Sequence, residues 1–101
     1  MKPIDRRKLF SLLHRAGKAR SITIVEDPDA GSGSHGSLMF YGPPGCRPVR
    51  IVLVYAREIS PGVQRAILKQ VDARAASPSV TENERLLGLS VAEMLRDYFD
   101  R

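Results

Sequence analysis

The chain has 101 residues, a formal net charge of +5 and one cysteine. This length suits a single domain with its own core, and one cysteine excludes an internal disulfide and a multi-cysteine metal site. No apolar run reaches the roughly 18 residues that a membrane span requires. Residues 1–5 lack the apolar stretch of a secretory signal, so we expect a cytoplasmic protein.

The positive charge is concentrated at the front of the chain. Residues 1–20 hold seven lysines and arginines against a single aspartate, whereas residues 82–101 hold five acidic and three basic side chains. A basic face attracts polyanions, of which RNA and DNA are the commonest. The same charges also suit a solvated helix face, so both interpretations stay open at this point.

The first predicted element is a helix over residues 5–17. Asp5 is a suitable N-cap, the apolar side chains recur at the spacing of one helical face, and Gly17 is expected to end the helix. The apolar side chains are Leu9, Phe10, Leu13 and Ala16. The other faces carry basic side chains that we assign to substrate binding, namely Arg7, Lys8, Arg15 and Lys18.

Three strands are predicted next, over residues 21–26, about 37–41 and 49–55. Each segment is short and rich in β-branched or other apolar side chains, which favour strands. The stretches between them contain proline and glycine, which interrupt strands. Short connections between consecutive strands favour an antiparallel meander.

A second helix is predicted over residues 60–76, with Ser60 as its cap and Pro61 at its first position. Lys69 on this helix is added to the substrate-binding residues. Beyond it, two sequence pairs have the capping-box pattern and predict two short helices, the first of which stops at Gly88. The pairs are Thr81 with Glu84 and Ser90 with Glu93.

The last of these helices has an apolar stripe that runs from Val91 to Phe99. We expect the stripe to pack on the core, with docking on a partner protein as the alternative. The predicted order is α-β-β-β-α, an α+β fold in which a three-stranded antiparallel sheet packs on helices. Residues 1–76 form its core, and residues 77–101 form a helical extension packed on the same single domain.

The stretch Gly33-Ser34-His35-Gly36 places a histidine between a glycine- and serine-rich loop and a predicted strand. RNA carries its own nucleophile, the 2′-hydroxyl group, so an enzyme needs only a base, an orienting site and stabilisation of phosphate charge. Histidine suits the first task, and the backbone amides of a glycine-rich loop suit the others. The residues can therefore support RNA cleavage at His35, and a plain connecting loop with a surface histidine is the open alternative.

The sequence does not select a general acid. Water, Tyr41, Tyr55 or a cationic side chain remain candidates, and His14 is interpreted as a surface or structural residue of the first helix. No group of histidine, cysteine and acidic residues has the spacing of metal ligands, and no nucleotide-binding motif is present. We therefore expect neither a metal nor another cofactor.

These features together resemble the HicA toxins of bacterial toxin–antitoxin systems over roughly residues 5–75. In addition to a leading helix that ends in glycine, three phrases carry the resemblance. They are Gly33-Ser34-His35, Ile67-Leu68-Lys69-Gln70 and Gly88-Leu89-Ser90-Val91-Ala92-Glu93.

The resemblance implies a fold similar to double-stranded-RNA-binding domains and an mRNA-cleaving activity that needs no metal. It implies that His35 is catalytic, that Gly33 and Ser34 shape the approach of the substrate, and that a HicB-like antitoxin neutralises the protein. We expect such an antitoxin to cover His35 and the basic face. The alternatives are a non-catalytic RNA-binding module of the same fold and a protein-interaction module.

Overall fold

The computed structural model describes residues 2–28 and 35–99. Strands β2, β3 and β4 form a three-stranded antiparallel sheet in that spatial order, and β1 pairs with β5 in a separate two-residue ribbon. The predicted α+β class and the antiparallel meander are confirmed. In chain order the elements are β1 (Ile4–Asp5), α1 (Arg6–Ala19), β2 (Thr23–Asp27), β3 (His35–Tyr41), β4 (Val49–Val54), β5 (Glu58–Ile59), α2 (Pro61–Ala75) and α3 (Glu82–Phe99).

The sheet has one buried face, as β4 shows most clearly. Val49, Ile51 and Leu53 are buried and the residues between them are exposed, which is the alternation expected when one face packs on helices. One cluster of buried side chains joins α1, the three strands, α2 and α3. The opposite face, here called the outer face, carries four exposed apolar side chains, namely Val25, Tyr41, Val52 and Val54.

Helix α1 runs two residues past its predicted end, because Gly17 has a different role from the one expected. Gly17 is buried where α1 crosses β2, and a Cβ atom added there would lie 2.7 Å from the carbonyl oxygen of Ile22. The chain leaves the helix at Ser21, which has a φ of 58°. The amide of Ile22 then donates to the carbonyl of Gly17 at 2.7 Å, an arrangement typical of a left-handed helix end.

The tail forms one helix, α3, and not the two that the capping patterns predicted. The first capping box is present, because Thr81 Oγ1 accepts from the Glu84 amide at 3.2 Å and Glu84 Oε1 accepts from the Thr81 amide at 2.9 Å. The prediction of a second helix start at Ser90 is wrong. Gly88 lies within α3 and does not end a helix, and it is buried beside α2, where an added Cβ would make an ordinary contact with the Cβ of Ala75 at 3.4 Å.

The apolar stripe of α3 packs on the core, as expected. Within the helix as described, it does not form the exposed docking surface of the alternative interpretation, since only Tyr98 of the stripe is more than marginally exposed. The buried members are Val91, Met94, Leu95 and Phe99.

The exposed edge of β4 is closed by one side chain of α2. Gln70 accepts a hydrogen bond from the Val52 amide at 3.0 Å and donates one to the Val52 carbonyl at 2.8 Å. These are the two bonds that a neighbouring strand would make to an unpaired edge. Gln70 therefore fixes α2 along β4, and Ile67 on the same helix is buried in the core.

Glu84 links the β3–β4 connection to the start of α3. Its carboxylate is buried and accepts from the backbone amide and Nε of Arg47 at 2.8 and 2.9 Å. Arg74 of α2 donates to the carbonyl oxygens of Glu84 and Arg47 at 3.0 and 2.6 Å. The Arg47 side chain, with the backbone donors, holds the pKa of Glu84 at about 2, below its ordinary value of 4.5.

We expect this carboxylate to make the fold sensitive to acid. Because the pKa of Glu84 is lower in the folded chain than its value of 4.5 in the unfolded chain, the ionised carboxylate stabilises the fold. This stabilisation is complete above about pH 4.5 and is lost as the pH falls towards about 2. The free energy of unfolding, measured with urea, should therefore fall less between about pH 6 and pH 3 for Glu84→Gln than for the wild type. The control is Glu93→Gln, which removes an exposed carboxylate of the same helix. Identical acid sensitivity in the wild type and Glu84→Gln would contradict the prediction.

Candidate active site

His35 is the first residue of β3, and its side chain is exposed. Its cross-strand partner is Val54, the last residue of β4. Side chains alternate along a strand, and Leu38 and Phe40 are buried on the helix side, so His35 projects from the outer face. The histidine thus stands at the end of the sheet where β3 begins and β4 ends. Gly33 and Ser34, which were predicted to shape the approach to His35, lie outside the described residues.

The two tyrosines considered as general acids lie away from the His35 side chain. Tyr41 is on the same face but six residues further along β3, which corresponds to roughly 20 Å at about 3.3 Å per residue. Tyr55 lies on the helix side of the sheet, where a Cβ added to Gly36 would be 2.6 Å from Tyr55 Cδ2. Neither phenol is therefore placed to protonate a leaving group held at His35.

Tyr55 and His14 share one acidic partner on the helix side. The Tyr55 hydroxyl donates to Glu26 Oε1 at 2.9 Å, and His14 Nε2 lies 3.0 Å from Glu26 Oε2. Burial raises the pKa of the Tyr55 hydroxyl, and the hydrogen bond to Glu26 raises it further. His14 thus has a structural partner on the helix side of the sheet, and its side chain does not share a face with His35.

The structure brings one of the predicted basic residues, Arg7, into a groove with Arg6 and Arg57. It does not bring the other four together around His35. Helix α1 turns its buried face, which includes Leu13, towards the sheet. At about 100° per residue, the exposed side chains of Lys8, Arg15 and Lys18 point away from the sheet and from the outer face. Lys69 is also exposed, and it lies on the face of α2 that is opposite its buried residues.

Two arginines close to the His35 end of the sheet were not assigned from the sequence. The Arg6 guanidinium carbon lies 3.9 Å from the centre of the Tyr55 ring, and Arg6 Nε donates to the Ala56 carbonyl at 3.0 Å. The Arg6 amide also donates to the carbonyl of Arg57 at 2.8 Å, which places Arg57 beside it. These bonds bring the basic N-terminus of α1 to the segment that follows β4.

One sequence signal could have identified Arg6. It lies three, four and seven residues before Leu9, Phe10 and Leu13, so it occupies the apolar stripe of α1. A guanidinium at such a position needs an aromatic or carbonyl partner, and Tyr55 and Ala56 supply both. No comparable signal marks Arg57, because its position depends on pairing across the β1–β5 ribbon.

The side chains of the described residues include no group of three histidine, cysteine or acidic residues that could hold a metal ion. In the same part of the chain, every helix is too short or too polar to cross a membrane. Neither a family model nor a curated protein nor a solved structure matches the chain.

Proposed function

We propose that the chain is an endoribonuclease that cleaves mRNA without a metal ion and acts as the toxin of a toxin–antitoxin pair in the cytoplasm. The observation that carries this proposal is the placement of His35, an exposed imidazole at the end of a sheet, directly after a glycine- and serine-rich segment. The resemblance to the HicA toxins supplies the class of reaction. The basic front of the chain supports RNA as the substrate.

In the proposed reaction, His35 accepts the proton of a ribose 2′-hydroxyl group. The O2′ atom then attacks the adjacent phosphorus, and the bond from phosphorus to O5′ breaks on the opposite side. The products are a 2′,3′-cyclic phosphate and a 5′-hydroxyl end, with the proton of the leaving O5′ supplied by water or a cationic side chain. General-base catalysis of this kind requires only that the imidazole reach the hydroxyl proton.

A HicB-like antitoxin is the proposed protein partner, and the outer face is its proposed binding surface. Val52 and Val54 are exposed on this face on the strand next to His35, and contiguous exposed apolar side chains are typical of a protein-binding surface. Lys8, Arg15 and Lys18 of α1 point the other way. An antitoxin on the outer face would therefore cover His35 without covering Lys8, Arg15 or Lys18.

The second candidate is an RNA-binding module of the same fold that does not cut its ligand. The separation of the basic α1 face from His35 favours it, because that face can bind phosphates without reference to the histidine. This candidate predicts salt-dependent RNA binding that is unchanged by substitution of His35.

The test is incubation of the purified chain with a long, labelled single-stranded RNA in EDTA. A 2′-O-methyl RNA of the same sequence is the matched control, because it has no nucleophile. We expect the unmodified RNA alone to be cut, with 5′-hydroxyl and cyclic phosphate ends, and expression of the chain to arrest growth. Binding of both RNAs without cleavage would favour the second candidate, and cleavage that requires an added divalent ion would contradict the proposed reaction.

A further inference from the structure

We infer that Arg6, Arg7 and Arg57 form a binding groove for a backbone phosphate of RNA, beside the nucleotide on which His35 acts. This inference rests on the proposed function for its ligand and for its relation to the scissile bond. The grouping of the three arginines is a property of the fold alone.

The groove has a volume of about 410 Å³ and is lined by Asp5, Arg6, Arg7 and Arg57. The β1–β5 ribbon assembles it, because Asp5 pairs with Glu58 and the Arg6 amide donates to the Arg57 carbonyl at 2.8 Å. Three arginines from two segments about fifty residues apart in sequence thus line one groove. The guanidinium fork matches the geometry of phosphate oxygens.

None of these three arginines pairs with an acidic side chain within the part of the chain that the structure describes. Across residues 2–28 and 35–99, neither Arg7 nor Arg57 makes an ion pair or a side-chain hydrogen bond. In the same residues, four other arginines are paired with acids, namely Arg20, Arg47, Arg85 and Arg96.

The acidic residues at the groove do not neutralise it. Asp5 Oδ1 accepts a hydrogen bond from the Lys8 amide at 3.0 Å and so caps α1. Glu58 is exposed on β5 and is not among the residues that line the groove. Asp5 is therefore the one carboxylate among the lining residues, against three arginines. The helix end is already capped, so the arginines rather than the helix dipole account for the attraction of an anion.

The groove lies next to the His35 end of the sheet. Arg57 follows Val54, the cross-strand partner of His35, by three residues, so its Cα lies within roughly 11 Å of the Val54 Cα. The Tyr55 ring supports Arg6 at 3.9 Å and also adjoins Gly36, the neighbour of His35. Tyr55 and Arg6 lie on the helix side of the sheet, whereas His35 projects from the outer face. An RNA strand with its scissile phosphate at His35 would therefore reach the groove by passing around this end of the sheet.

The test uses fluorescence anisotropy with a labelled 2′-O-methyl RNA, which binds without being cut, in EDTA at several salt concentrations. Arg7→Gln and Arg57→Gln each remove one charge from an exposed side chain, and Arg65→Gln removes one from the exposed face of α2. We expect each groove variant to lower affinity by about three- to tenfold and to reduce the slope of log affinity against log salt by about one. Arg65→Gln should leave both quantities at the wild-type values.

The outcomes separate this inference from the proposed function. If the wild type cuts RNA while the groove variants bind as Arg65→Gln does, the groove assignment is overturned and the ribonuclease stands. If the wild type binds but does not cut, and only the groove variants lose affinity, the phosphate site stands and the ribonuclease proposal falls. Binding to phosphatidylglycerol vesicles in place of RNA, with loss in Arg57→Gln, would also overturn the inference.

In an active preparation the groove has a further kinetic signature. Because Arg57 would hold a phosphate that does not react, Arg57→Gln should raise KM for RNA by about three- to tenfold with little change in kcat. A fall in kcat at unchanged KM would show that Arg57 is not a binding residue but acts at the reacting phosphate.

Discussion

His35→Ala is expected to lower the rate of RNA cleavage by at least about a hundredfold, because a positioned general base contributes about 10²–10⁴-fold to such reactions. The side chain is exposed, so its removal should leave the fold intact. Single-turnover cleavage in EDTA measures the loss directly. Affinity for 2′-O-methyl RNA should remain within about twofold of the wild type, because the proposed phosphate contacts come from arginines.

His14→Ala is the matched control for this experiment. It makes the same chemical change, but on the helix side of the sheet, where His14 Nε2 contacts Glu26 at 3.0 Å. We expect near wild-type cleavage by this variant at a temperature where both variants are folded. Undiminished cleavage by His35→Ala would indicate a contaminating nuclease or another catalytic residue and would contradict the assignment.

Gly17→Ala is expected to reduce the free energy of unfolding by about 1–3 kcal/mol, although alanine is the better helix former. The added Cβ would lie 2.7 Å from the Ile22 carbonyl oxygen and 3.2 Å from Ile24 Cδ1. The carbonyl belongs to the backbone that leads into β2, so α1 must move away from the sheet. For a domain of this size, each kcal/mol lowers Tm by about 4–8 °C, which differential scanning calorimetry resolves.

Gly62→Ala makes the same substitution in a helix without a collision. The nearest atom to the added Cβ is Ser60 Oγ at 3.9 Å, so this variant should be more stable than the wild type by about 0.5–1 kcal/mol. The stability of Gly88→Ala should lie between those of Gly17→Ala and Gly62→Ala, because its Cβ would make an ordinary contact with Ala75 at 3.4 Å. Equal stability of Gly17→Ala and Gly62→Ala would contradict the proposed close crossing of α1 and β2.

These glycines also show where sequence reasoning reaches its limit. A glycine within a helical pattern can mark a helix end or a close crossing, and the local sequence of Gly17 or Gly88 does not distinguish the two. Distant parts of the chain decide, because the Ile22 carbonyl that leads into β2 lies against Gly17, and Ala75 of α2 lies beside Gly88. The two-residue strands of the β1–β5 ribbon were not predicted either, because two residues are too few to show a period.

The sequence likewise predicted some features of the candidate site and not others. The Gly-Ser-His phrase was enough to predict a histidine next to a strand, and the structure begins that strand, β3, at His35, two residues earlier than predicted. The face from which it projects depends on register, since a shift of one residue would turn His35 to the helices. The arginine groove could not be predicted, because Arg57 reaches Arg6 only through pairing between distant segments.

The sequence by itself therefore determined those local features that depend on near neighbours. Alternation in β4, the N-cap at Asp5 and the capping box at Thr81 are set by neighbours within a few residues. Only the tertiary structure decided which side chains share a surface. It separated Lys8, Arg15 and Lys18 from His35, because packing one face of α1 on the sheet dictates the direction of every other side chain on that helix. It brought Arg57 to Arg6, because β1 and β5 pair across about fifty residues of sequence.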